Sequence, residues 1–122
     1  MPRGLIPTLA LAVLLVACSQ TTAQQTHDSE THRFRVVRVA SGLDRPWGIT
    51  FLPGGDMLVT ERPGRVRLIR QGQLVAEPVS GGPEVWANGQ GGLLDIAAHP
   101  DYATNRQVYI TYSKAGDNGA TT

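Results

Sequence analysis

The residues best suited to chemistry lie in a glycine-rich stretch that leads into an apolar run. Glycines at positions 89, 91 and 92 surround Gln90, the only long polar side chain among them. Glycine has no Cβ, so such a loop can take positive φ and approach another group closely, while an amide both donates and accepts hydrogen bonds. Residues 93–98 then resemble a strand, which His99 and Pro100 end. The pattern predicts one amide at the mouth of a strand, where it either contacts a ligand or caps the loop's own backbone.

Other polar residues favour structural roles. His99 belongs to the turn that follows the strand, and His27 and His32 lie in a polar stretch whose composition predicts solvation rather than metal binding. Asp117 and Asn118 fall short of the six to eight oxygen ligands that Ca²⁺ takes. These residues by themselves therefore predict no metal site.

Charged side chains cluster around the middle of the chain. Glu61 and Asp95 are predicted to pair with nearby arginines or with backbone turns. Strand alternation places Arg65 and Arg67 on one face, which we expect to be solvated, together with the neighbouring Arg62 and Arg70. Trp47 opens a strand, and we expect its ring to pack between sheets rather than to stack on a ligand.

The pattern beyond residue 32 is that of strands joined by short turns, with no helical periodicity of useful length. We expect strands at 34–39, 47–52, 57–61, 65–70 and 74–79, and a type II turn with Pro63 and Gly64 in its central positions. A second group of strands repeats the pattern of the first: Ile49 and Pro53 have counterparts in Ile96 and Pro100. A repeat of about 40 to 50 residues with four strands is typical of a β-propeller blade, and a β-sandwich is the alternative.

The amino terminus carries an export signal. Arg3 precedes an apolar run from residue 9 to residue 17, which is too short to span a bilayer but suits a signal peptide. The run ends in Leu15-Val16-Ala17-Cys18, which resembles the lipobox of bacterial lipoproteins, with an ordinary signal peptide as the alternative. Lipidation of Cys18 would anchor the protein, and Ser19 at the next position favours the outer membrane.

The sequence predicts three regions: a lipoprotein-type signal peptide at 1–17, a flexible tether at 18–32 and an incomplete propeller at 33–122. The tether is rich in Gln, Thr and Ser and has almost no apolar residue to bury. Cys18 is the only cysteine, so no disulfide forms within the chain. Acidic and basic residues balance from Cys18 onward and form no basic patch with interleaved aromatics, which argues against a nucleic-acid partner.

Four segments in order resemble the soluble aldose sugar dehydrogenases, which are related to soluble quinoprotein glucose dehydrogenase. They are Leu43-Asp44-Arg45-Pro46-Trp47-Gly48-Ile49-Thr50-Phe51-Leu52-Pro53, Leu58-Val59-Thr60-Glu61-Arg62-Pro63-Gly64-Arg65, Gly89-Gln90-Gly91-Gly92-Leu93-Leu94-Asp95 and His99-Pro100-Asp101-Tyr102. The resemblance implies an all-β chain, namely the first one and a half blades of a six-bladed β-propeller. We therefore expect this chain to be the N-terminal piece of a longer protein.

The resemblance also implies the activity and the cofactors. Enzymes of this family oxidise a sugar at its anomeric carbon: a histidine takes the hydroxyl proton, and hydride passes to the C5 carbonyl of pyrroloquinoline quinone (PQQ), to which Ca²⁺ is bound. Gln90 matches the family's glutamine near the sugar hydroxyls. The histidine base and the PQQ-binding residues are expected beyond residue 122. The alternative is a non-catalytic propeller lipoprotein that binds a sugar or a protein partner, because a fold does not fix a function.

Overall fold

The computed structural model describes residues 25–122, which belong to two units divided between Val37 and Arg38. The signal peptide and Cys18 lie outside the described residues. In the first unit, β1 (Thr26–Asp28) pairs antiparallel with β2 (Arg33–Arg35). The hydroxyl of Ser29 closes the hairpin on the backbone of His32. The hairpin thus begins inside the segment that the sequence assigned to the flexible tether, because local turn contacts give it a pairing that composition does not reveal.

The second unit opens with a four-stranded antiparallel sheet in the order of the chain. Its strands are β3 (Pro46–Phe51), β4 (Met57–Glu61), β5 (Arg65–Arg70) and β6 (Gln73–Leu74). The last strand is shorter than the predicted 74–79: beyond it, only Val79 makes a bridge, to Val66. Pro78 has no N–H to donate, so a regular ladder cannot continue through it.

The turn between β4 and β5 is offset by one residue from the type II turn expected at Arg62–Arg65. The Gly64 N–H donates to the Glu61 carbonyl at 2.9 Å, and Glu61 pairs with Arg65 across the ladder. The hairpin loop is therefore three residues long, with Gly64 at φ +119° following the turn. Arg62 consequently sits inside the loop rather than at its first position.

The second sheet repeats the first. β7 (Leu93–Ala98) and β8 (Val108–Tyr112) pair antiparallel, joined by the one-turn helix α1 (Tyr102–Asn105). The ladder between β3 and β4 is irregular between Pro46 and Ile49, and that between β7 and β8 is irregular between Leu93 and Ile96, the equivalent positions. This shared irregularity supports the internal repeat. A hairpin of β9 (Lys114–Gly116) and β10 (Gly119–Thr121) follows.

The core lies between the two sheets. Buried side chains from both meet there: Leu58, Val66, Leu93 and Ile96. Large side chains of β3, the edge strand of the first sheet, stay exposed: Trp47 is 52% and Phe51 70% exposed, so the expected packing of Trp47 between sheets is not found among residues 25–122. Within residues 25–122, no helix is long and apolar enough to cross a membrane.

Candidate functional site

Gln90 lies at the exposed tip of the glycine-rich loop, immediately before β7. A hydrogen bond from the Gly91 N–H to the Asn88 carbonyl, 2.8 Å long, closes the loop on its own backbone. Beyond it the Ser113 N–H donates to the Gly92 carbonyl at 2.8 Å, which fixes the loop's exit against the end of β8. The loop therefore has a defined shape and directs an amide outward.

Arg62, in the turn between β4 and β5, holds the loop from the other side. Its Nη1 donates to the Gly89 carbonyl and lies 3.5 Å from the Gly91 carbonyl. Its own carbonyl accepts from the Leu93 N–H at 3.0 Å. A Cβ at position 92 would overlap that carbonyl oxygen, so glycine is required there, at φ +145°.

A cavity of about 380 Å³ opens beside Gln90. The residues that line it include Trp86, Asn88 and Ser113, which follows β8. The Trp86 N–H donates to the Ser113 carbonyl at 2.7 Å, which keeps the two walls together. A tryptophan together with the amide residues Asn88 and Gln90 suits a polyhydroxylated ligand, because amides bond hydroxyl groups and an aromatic ring packs against C–H groups.

The first sheet contains a buried carboxylate, that of Glu61. Glu61 is 0% exposed and accepts from the Asp44 N–H at 2.7 Å, from Arg65 Nε at 2.6 Å and from an Arg67 nitrogen at 3.4 Å. Burial alone raises the pKa of Glu61, but the Asp44 N–H and the two guanidinium groups together outweigh it and hold that pKa below its ordinary value. The predicted pairing of Glu61 with arginines is thus observed.

The expectation that the arginines form a solvated face is wrong for Arg67. Its side chain is only 11% exposed and donates to the Val75 and Ala76 carbonyls at 3.1 and 3.2 Å. It is also wrong for the half-buried Arg62. No sequence pattern signals either set of contacts, because the partners of both side chains come from other elements and are fixed only by the fold.

His99 is engaged in its turn, as expected. Its Nδ1 accepts from the Asp101 N–H at 2.9 Å, and its ring lies 5.8 Å from that of Tyr109. Asp95 likewise bonds backbone, its Oδ1 accepting from the Ile96 N–H at 2.9 Å. Neither side chain is placed beside Gln90 as a general base.

The arginines of the first sheet bond to acidic side chains and to backbone carbonyls. Within residues 25–122, no group of three or more His, Cys, Asp or Glu side chains is placed to hold a metal ion. The arginines of the first sheet already have partners: Arg62 bonds loop carbonyls, Arg65 and Arg67 bond Glu61, and Arg70 bonds Asp56. These groups bind and orient; they supply neither a redox centre nor a base.

Comparison with known proteins gives the family. The sequence profile of the family described as Glucose / Sorbosone dehydrogenase matches residues 43–122. The chain belongs to this family. The chain is similar to the aldose sugar dehydrogenase YliI of Escherichia coli K12, 47% identical over 78 residues that cover 63% of this chain and 21% of that protein. The quinoprotein glucose dehydrogenase B of Acinetobacter calcoaceticus is 30% identical over 91% of this chain and 25% of its own length.

Solved structures of family members show the same fold. The apo-form of the soluble aldose sugar dehydrogenase from Escherichia coli matches with a TM-score of 0.60 and 48% identity, over 64% of this chain and 23% of that one. The PQQ-bound aldose sugar dehydrogenase from Streptomyces coelicolor matches with a TM-score of 0.61 and 38% identity, over 67% and 25%. The chain spans about a quarter of these relatives, the share that one and a half of six blades would occupy. The predicted propeller fold is confirmed.

Proposed function

We propose that this chain is the N-terminal part of a PQQ-dependent sugar dehydrogenase that oxidises an aldose, such as glucose, at its anomeric carbon. Membership of a family of sugar dehydrogenases supports the reaction class. The observation in the structure that carries the proposal is Gln90, exposed on a restrained loop beside a cavity with an aromatic wall. The competing proposal, a non-catalytic propeller lipoprotein that binds a sugar or a protein, shares the binding residues but not the redox step.

In this proposal, Gln90 bonds a hydroxyl group of the sugar and orients it. Its amide has a donor and an acceptor, so it can serve a hydroxyl in either role. PQQ, with bound Ca²⁺, would supply the hydride acceptor, and a histidine would supply the base. We place the residues that hold these groups in later blades of the complete protein, because no group of three or more His, Cys, Asp or Glu side chains within residues 25–122 is placed to hold a metal ion.

The test is turnover by the product of the complete gene. The protein would be loaded with PQQ and Ca²⁺ and assayed with a series of aldoses and an artificial electron acceptor. We expect oxidation of at least one aldose, and a loss of about tenfold in kcat/KM for Q90A, the loss expected for one neutral hydrogen bond. Gln73→Ala, on the edge strand β6, is the matched control and should keep wild-type kinetics.

Two outcomes would contradict this proposal. Sugar binding by calorimetry without turnover in the loaded protein would favour the non-catalytic alternative. Turnover that Q90A leaves unchanged would keep the dehydrogenase but remove Gln90 from the sugar site. The electron acceptor used by the cell is a separate question, which an artificial acceptor leaves aside.

We further propose that the protein is exported and attached to the outer membrane through lipid on Cys18. The sequence around Cys18 and Ser19 supports this placement. The test is metabolic labelling with a radioactive fatty acid, followed by separation of the membranes. Label should enter the wild-type protein and be absent from Cys18→Ser; equal labelling of both would refute the anchor.

A further inference from the structure

The contacts of Arg62 reach a backbone carbonyl on each side of Gln90. The Gly89 carbonyl belongs to the peptide bond just before Gln90, and the Gly91 carbonyl lies one residue after it. One guanidinium nitrogen, Nη1, meets both oxygens, and its two hydrogens allow one bond to each. The guanidinium group of Arg62 therefore links the residue before Gln90 to the residue after it.

Backbone hydrogen bonds hold Arg62 itself in place. Its N–H donates to the Arg45 carbonyl at 3.0 Å, and its carbonyl accepts from the Leu93 N–H at 3.0 Å. Arg62 thereby connects the entry of β3, the β4–β5 turn and the first residue of β7. A side chain that starts from such an anchored backbone can add a further restraint to the backbone hydrogen bonds that close the loop and fix its exit.

The loop needs an external restraint because of its composition. Glycine has more conformational freedom to lose than any other residue, and three glycines surround Gln90. Hydrogen bonds from a charged donor are stronger than those between neutral groups, and a guanidinium stays charged at every pH at which proteins fold. Arg62 is the charged group that contacts this loop among residues 25–122.

We infer that Arg62 is a positioning residue: it holds the loop so that the Gln90 amide faces the sugar in a fixed orientation. The inference rests on the proposed function for its catalytic consequence. Arg62 itself bonds loop carbonyls and acts on the sugar only through Gln90. Arg62 belongs to the β4–β5 turn of the first blade, whereas Gln90, which contacts the sugar in this proposal, belongs to the second blade. The first blade would thus help to position a ligand contact of the second.

The experiment has two readouts on the complete protein, loaded with PQQ and Ca²⁺. The first is hydrogen–deuterium exchange of residues 88–92, which requires no activity. Arg62→Met should speed exchange in this loop about tenfold, and Arg62→Lys, which keeps a cation, should restore part of the protection. Arg70→Met is the control: Arg70 bonds Asp56 on the surface and should leave the loop unchanged.

The second readout is a double-mutant cycle on kcat/KM for an aldose. If Arg62 acts through Gln90, Arg62→Met should cost about tenfold in the wild-type background and less than about twofold in the Q90A background. Equal losses in both backgrounds would overturn the inference, and so would unchanged exchange at residues 88–92. A wild-type protein without any aldose turnover would overturn the proposed function, and the exchange data would still decide whether Arg62 restrains the loop.

Discussion

The carboxylate of Glu61 is the residue on which the polar contacts of the first sheet converge. It is fully buried, and two arginines and one backbone N–H donate to it. Because the pKa of Glu61 lies below its ordinary value of 4.5, its ionised form stabilises the folded state. That contribution is fully present above about pH 4.5 and is lost as the pH falls through the lowered pKa.

Glu61→Gln should therefore have two effects. It should lower the free energy of unfolding by about 3 kcal/mol at neutral pH, because it leaves the buried guanidinium of Arg67 without its counter-charge. It should also reduce the loss of stability that occurs as the pH falls below about 4.5. The side chains of Arg45 and Arg65 lower the pKa of Asp44. The ionised form of Asp44 therefore also stabilises the folded state, so some loss of stability at low pH will remain in Glu61→Gln. Urea denaturation across pH measures both effects.

The matched control is Asp56→Asn, which removes a surface pair with the exposed Arg70. An exposed pair contributes at most about 1 kcal/mol, so this variant should stay close to wild type. If Glu61→Gln were equally mild at neutral pH, Arg67 would have to be solvated rather than held by Glu61.

The sequence predicted these residue contacts only in part. It predicted that Glu61 pairs with an arginine, because Glu61 and the arginines that follow it lie close together in the sequence. It did not predict the burial of Arg67, whose other partners are the Val75 and Ala76 carbonyls in an irregular segment. Strand alternation fixes the face of a side chain, but it does not tell whether another segment covers that face.

At the scale of elements, β7 joins the first sheet through hydroxyl groups. The Thr60 hydroxyl, 0% exposed, accepts from the Gly48 N–H at 2.9 Å and donates to the Leu94 carbonyl. The Thr50 hydroxyl accepts from the Ala98 N–H at 3.0 Å. Two threonines from neighbouring strands thus bond to opposite ends of β7, and their spacing helps to align the two sheets.

Thr60→Val, which keeps the shape and removes the hydroxyl, should cost about 1 to 3 kcal/mol of unfolding free energy, because a buried N–H and a buried carbonyl lose their partner. Thermal denaturation of the complete protein measures the change. Thr104→Val, on the exposed helix α1, is the control and should leave the midpoint unchanged. A neutral effect of Thr60→Val would mean that other contacts align β7.

Elements with strong local patterns were predicted closely. The expected strand at 57–61 is β4, and the expected run at 93–98 is β7. The turn before Arg65 was predicted one residue away from its position, because Pro followed by Gly suits both a type II turn and a three-residue hairpin loop. The short helix α1 follows a proline and has too few residues for a helical period to show.

At the scale of the molecule, the first sheet leaves an apolar surface open along β3. Trp47, Ile49 and Phe51 are each at least half exposed, and they line a cavity of about 540 Å³. In a propeller, neighbouring blades bury such faces in each other. Residues 25–122 alone leave this one in contact with solvent.

We therefore expect the isolated segment 18–122, which lacks the signal peptide, to unfold without a sharp transition and to oxidise no aldose. Calorimetry and binding of a fluorescent apolar dye test the first point. Single substitution of Phe51 by Ser should reduce dye binding, whereas the same change at the buried Leu58 should not. A sharp, reversible calorimetric peak from this chain would show that one and a half blades form a stable unit.

The candidate site could be predicted only where its signal was local. The glycines around Gln90 are adjacent in sequence and mark the loop directly. Arg62 lies 27 residues before Gly89. Trp86 and Ser113, which are joined by a backbone hydrogen bond, are separated in the sequence by β7 and β8. Such distant partners become neighbours only when the sheets assemble, so one sequence without its fold does not reveal them.

The close approach of Gly92 to Arg62 has a genetic consequence. Every missense change in a glycine codon adds a Cβ, and at position 92 that atom would meet the Arg62 carbonyl oxygen at a φ that other residues rarely adopt. Gly89, by contrast, has open space around it and φ +53°, a conformation that Asn and Asp tolerate. In a saturation scan of the gene, codon 92 should accept synonymous changes only, while codon 89 should also accept those for Asn and Asp.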